Sequence, residues 1–247
     1  MVVQKLFQII KSPAIRDSWI AKNRGMQIVF VSVLKFYNCM VTKTGFPVRK
    51  IAGSCGSKNT ISPSADINFR HVIIGNSCLI GDQAVVEKNT IIGNNVIIGS
   101  GTIVGSEGFE IRRIHNELIP VAHTGGVIIR DNAVIGSHVC IDKSLLGEFT
   151  EISEGSGIGN FTHVAHGVKI GKRCSIGVSV MIGGKVTMGD DVQIGPGAKI
   201  SDQITIGDGA MISMGSVVTK DVLPGQWVTG NFAISHEKFL KHHQEIS

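Results

Sequence analysis

Aromatic residues are scarce in this chain, with one Tyr, two Trp and ten Phe among 247 residues, and only 17% of positions are charged. Set against 31 Gly and 43% hydrophobic residues, the shortage excludes an ordinary aromatic-rich core and points to an aliphatic repeat. Cysteine is nearly as uninformative as a framework. Cys39, Cys55, Cys78, Cys140 and Cys174 are scattered, odd in number and without CxxC or Cys/His metal spacing, so they are expected to be reduced and mostly packed. No signal-peptide pattern is visible, and a cytoplasmic location is expected. The longest apolar run, MQIVFVSVLKFYNCMV at 26–41, contains Lys35 and Asn38. It is too short to span a bilayer and is expected to be a buried strand or helix.

Acidic residues are nearly missing from residues 1–60, which hold ten Lys or Arg against Asp17 alone, a net +9. The remaining residues hold 14 basic and 18 acidic side chains, a net −4. The basic end is either a solvated positive face or a dock for an anionic partner, with peripheral membrane contact a further option. No nucleic-acid motif or aromatic interleaving accompanies it, so nucleic acid is not expected as a partner.

What is present in abundance is a period of six. Aliphatic leaders fall at Ile74, Ile80, Val86, Ile92, Ile98 and Val104, resume at Ile129, Ile135 and Ile141, and run without a break from Ile152 to Val218. An aliphatic leader followed by a small residue every six positions is the signature of a hexapeptide β-helix. Three hexads close one triangular coil, so residues eighteen apart become neighbours on one face at strand spacing, about 4.8 Å. The expected fold is all-β: a left-handed parallel β-helix with a small N-terminal module and a short C-terminal helix.

The expected divisions are a basic module at 1–60, a solenoid of about eight or nine coils at 61–220, and a cap with helix at 221–247. The module is expected to contain a helix around SPAIRDSWIAKN, and Ser235 is the expected N-cap of the last helix. The phase breaks twice. Residues 105–126 are too many for a corner and are expected to project as a loop, the usual place for function on a rigid scaffold. A second slip falls between Ile141 and Ile152.

That slip lies just upstream of FTHVAHGVKIG, residues 161–171, with histidines three apart. His166 takes the outward third position of its hexad, and the same position one coil later is Gly184. An imidazole can take a proton from an attacking amine or hydroxyl, and an unhindered backbone N–H can hold an oxyanion. His163, at the end of its hexad, is expected to turn a corner beside it as a helper. Asn160, one hexad earlier, could bind a polar acceptor; its column continues as Val178, Pro196 and Met214, an apolar groove suited to an acyl or pantetheine chain. No pair among His71, His115, His123, His138, His163 and His166 is eighteen or thirty-six apart, so no metal site is expected. His115, His123 and His138 read as loop or surface residues, and His236, His242 and His243 as solvated.

The segments GSEGFE, IPVAHTGGVII, VCIDKSLL, GNFTHVAHGVKIG and VMIGGKVTMG, in this order, resemble the UDP-3-O-acylglucosamine N-acyltransferases of lipid A biosynthesis. The resemblance covers about 60–235 and implies His166 as general base, Gly184 as oxyanion donor and Asn160 as a glucosamine contact. His163 in HVAH instead resembles the sister UDP-N-acetylglucosamine O-acyltransferases, where both histidines line the acceptor site. Glu107 and Phe109, from the projecting loop, and Asp142, from VCIDKSLL, complete the expected substrate-binding set. The resemblance also implies a homotrimer, no bound cofactor, and acyl-acyl carrier protein or acyl-CoA as co-substrate, with the carrier protein favoured. The family's uridine-gripping amino-terminal domain has no counterpart here, and Asp202-Gln203 stands where a Gly-His pair is common. The expected activity is N-acyl transfer to an amino sugar, nucleotide-linked, in lipid A or surface polysaccharide synthesis. An acetyl-CoA-dependent N-acetyltransferase and a non-catalytic solenoid scaffold are the alternatives.

Overall fold

A computed structural model describes residues 24–44, 51–114 and 117–230, together with residues 235, 238 and 244. Strands of two to four residues stack into three parallel sheets, one for each side of a triangular left-handed β-helix. Face A runs from Ser54–Cys55 to Thr205–Ile206, face B from Thr60–Ile61 to Trp227–Val228, and face C from Asp66–Ile67 to Val217–Val218. The hexad leaders fill the interior: Ile152, Val164, Ile170, Ile182, Ile200 and Ile206 are all at most 1% exposed. Each such side chain contributes roughly 1.5–3 kcal/mol by leaving water. The small follower is a steric requirement. A Cβ added to Gly171 would lie 2.1 Å from the Gly189 carbonyl oxygen of the next coil.

In the uninterrupted part the pairing step is eighteen, as in Lys169↔Thr187 and Ile182↔Ile200. The two slips change that step. Ile92 pairs with Ile129 and Val104 with Ile141, because the 105–126 segment leaves the coil and folds partly into an antiparallel hairpin, Ile111–Ile114 with Glu117–Pro120. Ile141 then pairs with Val164, 23 positions on, because residues 143–148 bulge outward. The coil stack also extends beyond the expected limits: Ser54 already pairs with Ile73, and Trp227 still pairs with Met211.

The apolar run at 26–41 lies within a helix, Arg24–Thr44. Only one side of it is buried. Leu34 joins Ile114, Ile119, Val121 and Leu145 in a second apolar cluster, with Phe30, Val31, Tyr37 and Leu146 packed against it. Among the described residues, then, this helix shares its core with the projecting hairpin and the bulge. Polar bonds fix the same contact: Asn38 donates to the Pro120 carbonyl at 2.6 Å and accepts from Ala122 N–H at 3.0 Å, and the Tyr37 hydroxyl donates to the Ala122 carbonyl at 3.2 Å. No described helix is long and apolar enough to cross a membrane. Ser235 Oγ accepts the Lys238 N–H at 3.4 Å, the capping bond expected there. The expected helix at SPAIRDSWIAKN, and His115, His236, His242 and His243, lie outside the described residues. The cysteines are free: Cys78 and Cys174 are buried and Cys140 is partly buried, in line with the mostly packed role expected, while Cys39 and Cys55 are exposed.

Candidate active site

His166 stands at the corner that follows the face-C strand His163–Val164. The two histidines therefore have the reverse of the expected arrangement: His163 lies on the flat strand, and His166 turns the corner. Gly184 occupies the same corner one coil on, where an added Cβ would lie 2.8 Å from both Cε1 and Nε2 of His166. The Gly184 carbonyl accepts Gln203 N–H at 2.8 Å, while its own N–H meets no acceptor among the described residues. The His166 ring thus abuts the Gly184 backbone, whose amide is left open.

A cleft of about 300 Å³ opens over this pair. The coil supplies Asp142, His163, His166 and Gly184 to it, with Lys185, Asp202 and Gln203 alongside, and the loop supplies Phe109, Glu110 and Arg112. Phe109 is 84% exposed at the rim. Glu110 is ion-paired to Arg112, and its Oε2 lies 3.7 Å from His166 Nε2. His123 was expected at the loop surface but is 3% exposed. Its ring packs edge-on against His166, with centroids 5.3 Å apart.

Two other expected residues are placed elsewhere. Glu107 anchors the loop: it accepts His123 N–H at 2.6 Å and pairs with Lys143 at 2.5 Å. Burial alone would raise its pKa, but the bonds from His123 and Lys143 outweigh that and hold it at about 2. Asn160 sits at the preceding corner, away from the cleft, where its Oδ1 accepts Ser137 N–H at 2.8 Å. It belongs to the side-chain ladder that ties adjacent coils.

The electrostatics separate the two histidines. Burial, with the positive fields of His123, Lys185 and Arg112, pushes His166 down to about 4. The hydrogen bond from His163 Nε2 to Asp142 Oδ2, 3.1 Å long, holds the His163 pKa above its usual value against its burial. His166 is therefore kept neutral, while the bond to Asp142 favours the charged form of His163. Neighbouring groups whose surroundings push their pKa values apart in this way can take base and acid roles. If neutral His166 is the working base, the acid limb of kcat/KM falls well below pH 6.5, between about pH 4 and 5. A pH–rate profile with its acid limb near 6.5 would contradict this assignment.

Glu110, Arg112 and His123 escaped the reading by register because they sit on the excursion, where the six-residue period carries no positional information. His123 lay within IPVAHTGGVII, yet that segment assigned it no role.

Fold and repeat together define a hexapeptide-repeat β-helix protein. The family described as "Bacterial transferase hexapeptide (six repeats)" matches residues 71–106, 149–184 and 185–220, the stretches where the period is regular. Among solved structures, UDP-N-acetylglucosamine acyltransferase from Campylobacter jejuni is similar over 76% of this chain and 83% of its own, at 22% identity and a TM-score of 0.55. The Arabidopsis UDP-N-acetylglucosamine acyltransferase is similar over 80% of this chain and 76% of its own, at 19% identity and a TM-score of 0.51. At these identities the likeness establishes the fold. No curated protein sequence matches the chain.

Proposed function

We propose that this protein is an acyltransferase that moves an acyl group from a phosphopantetheine thioester to the amine of a nucleotide-linked amino sugar, in lipid A or surface polysaccharide synthesis. The observation that carries the reading is the juxtaposition of a neutral, partly buried His166 with the open Gly184 N–H one coil away. The structural neighbours named above are UDP-N-acetylglucosamine acyltransferases, which supports acyl transfer to a nucleotide-linked sugar; the amine acceptor rests on the sequence resemblance.

In the proposed reaction the acceptor amine attacks the thioester carbonyl while His166 Nε2 takes its proton. The Gly184 N–H donates to the oxyanion as it forms. Collapse expels the pantetheine thiolate, which recovers the proton from the imidazolium. His163, oriented by its hydrogen bond to Asp142, lines the acceptor side of the cleft, and Phe109 closes the rim. The attack is direct: Cys140 sits beside His163 rather than His166, and burial pushes its thiol up, which disfavours the nucleophilic thiolate. Val178 and Met214 are 45% and 65% exposed. With Pro196, Met211 and Trp227, Met214 lines an open trough of about 490 Å³ suited to the acyl or pantetheine chain. The working form is proposed to be a homotrimer, in which Asn160 would reach the acceptor from a neighbouring copy.

The donor is proposed to be acyl-acyl carrier protein, drawn by the +9 charge of residues 1–60. The test is acyl transfer to UDP-linked amino and hydroxyl acceptors, with acyl-carrier-protein and acyl-CoA donors measured side by side. Amine acylation from the carrier protein, with KM for that donor rising steeply with salt, is the expected outcome. Turnover with acetyl-CoA alone and little salt dependence would establish the N-acetyltransferase alternative, and no turnover with any donor would favour a scaffold.

A further inference from the structure

Beside the proposed catalytic pair lies a cluster for which that chemistry has no use in full. Cys140 and His163 are directly paired on adjacent strands of face C, and Asp142 follows Cys140 where the register shifts at a bulge between Ile141 and Asp142. Strand alternation places the Cys140 and Asp142 side chains on one face, with Ile141 turned inward between them. One ligating atom from each of the three residues lies within 4.8 Å of the others. His163 Nε2 is 3.1 Å from Asp142 Oδ2, and Cys140 Sγ is 3.9 Å from Asp142 Oδ1.

We propose that Cys140, Asp142 and His163 form a binding site for zinc, and that the bound ion excludes the acceptor from the cleft. The spacing suits a tetrahedral ion: bonds of about 2.0–2.3 Å place ligand atoms roughly 3–4 Å apart. The donor set also discriminates. One thiolate, one imidazole and one carboxylate suit zinc, whereas magnesium and calcium favour oxygen alone. Three protein ligands leave a fourth position for water, and the half-exposed His163 gives the ion a way in from solvent.

An outer partner is already in place. Ser106 Oγ donates to one of the acceptors around it, with Asp142 Oδ1 at 2.8 Å, Cys140 Sγ at 3.1 Å and the Ile141 carbonyl at 3.2 Å. It would orient one of the two anionic ligands, as outer-sphere groups do at metal sites. Binding releases the Cys140 thiol proton to solvent, leaves His163 neutral with its ring proton on Nδ1 and any second ring proton lost to solvent, and replaces the His163–Asp142 hydrogen bond with two metal bonds. Because His163 and Asp142 also line the cleft, the ion and the acceptor compete for the same two side chains; this consequence rests on the proposed function, whereas the binding itself does not.

The test is cobalt substitution in the full chain carrying Cys39→Ser and Cys55→Ser, which removes the two exposed thiols. One equivalent of Co²⁺ should produce a thiolate-to-cobalt charge-transfer band in the near ultraviolet, displaced by zinc. Cys140→Ser should abolish the band, and Ser106→Ala should weaken cobalt affinity by about 10–100-fold. His163→Ala should weaken it at least as much, while His166→Ala should leave it unchanged. Absence of the band, or its survival in Cys140→Ser, overturns the site. The spectra need no turnover, so they stand apart from the acyl-transfer assays. Where transfer is measured, zinc should raise KM for the acceptor reversibly; a cobalt band without any such effect overturns the competition.

Discussion

His166→Ala is expected to lower turnover by about 10²–10⁴ while the coil stack stays folded, the usual contribution of a positioned general base. The expectation follows from where the ring stands. His166 is at a corner, outside the aliphatic interior, with its side chain 13% exposed and walled in by His123, Gly184 and the loop. Its removal takes away the proton acceptor without opening the core column through Val164 and Ile182. Steady-state kinetics with a thermal melt decides the matter, and near-normal turnover in a folded variant would end the assignment. The same variant has a second signature. With a native pKa of about 4 against about 6.5 in the unfolded chain, the wild type loses stability as pH falls from 6.5 towards 4, because only the unfolded chain takes up that proton. The alanine variant lacks this loss, so its melting temperature should fall less steeply over that window.

Gly184→Ala is expected to cost about 10²-fold in kcat with little change in stability. Gly184 is not among the glycines with a left-handed backbone, so alanine introduces no φ strain. The effect is steric: the new methyl would stand 2.8 Å from His166 Cε1 and Nε2, and the ring must move. A displacement of about 1 Å at a reacting group costs on that order. The double variant with His166→Ala should be scarcely slower than His166→Ala alone, because the methyl then has no ring to displace. Additive losses would mean that Gly184 acts on something other than the imidazole.

The hexad leaders made most of the architecture legible. Their period gives the triangular coil, the inward columns and the neighbours at eighteen, so the placement of His166 beside Gly184 required nothing beyond counting. Counting misled in one place. His163 and His166 exchanged strand and corner, because the period fixes which residues recur on a column without fixing where the chain bends. Asn160 is also a coil-to-coil tie within its own chain, since a side-chain carbonyl beside the adjacent coil's amides finds a backbone partner. The spacing search among histidines did not address Cys140 and His163, which the bulge at 143–148 brings together at a separation of 23.

The loop was harder still. Residues 105–126 were recognisable as an excursion, and their path over the site was not. That path depends on the helix Arg24–Thr44, whose Leu34, Tyr37 and Asn38 hold the far side of the hairpin and the Ala122–Thr124 stretch. Through that contact His123 is pressed against His166 and Glu110 is laid across it.

The sequence by itself determined the solenoid and the column that holds His166 and Gly184, because a repeat converts separation along the chain into distance in space. Only the tertiary structure decided the electrostatics of the site: the neutral His166, the His163 pKa raised by Asp142, and the cluster with Cys140. These depend on burial and on partners supplied by two insertions and a helix, whose positions are set by packing against one another and follow no period.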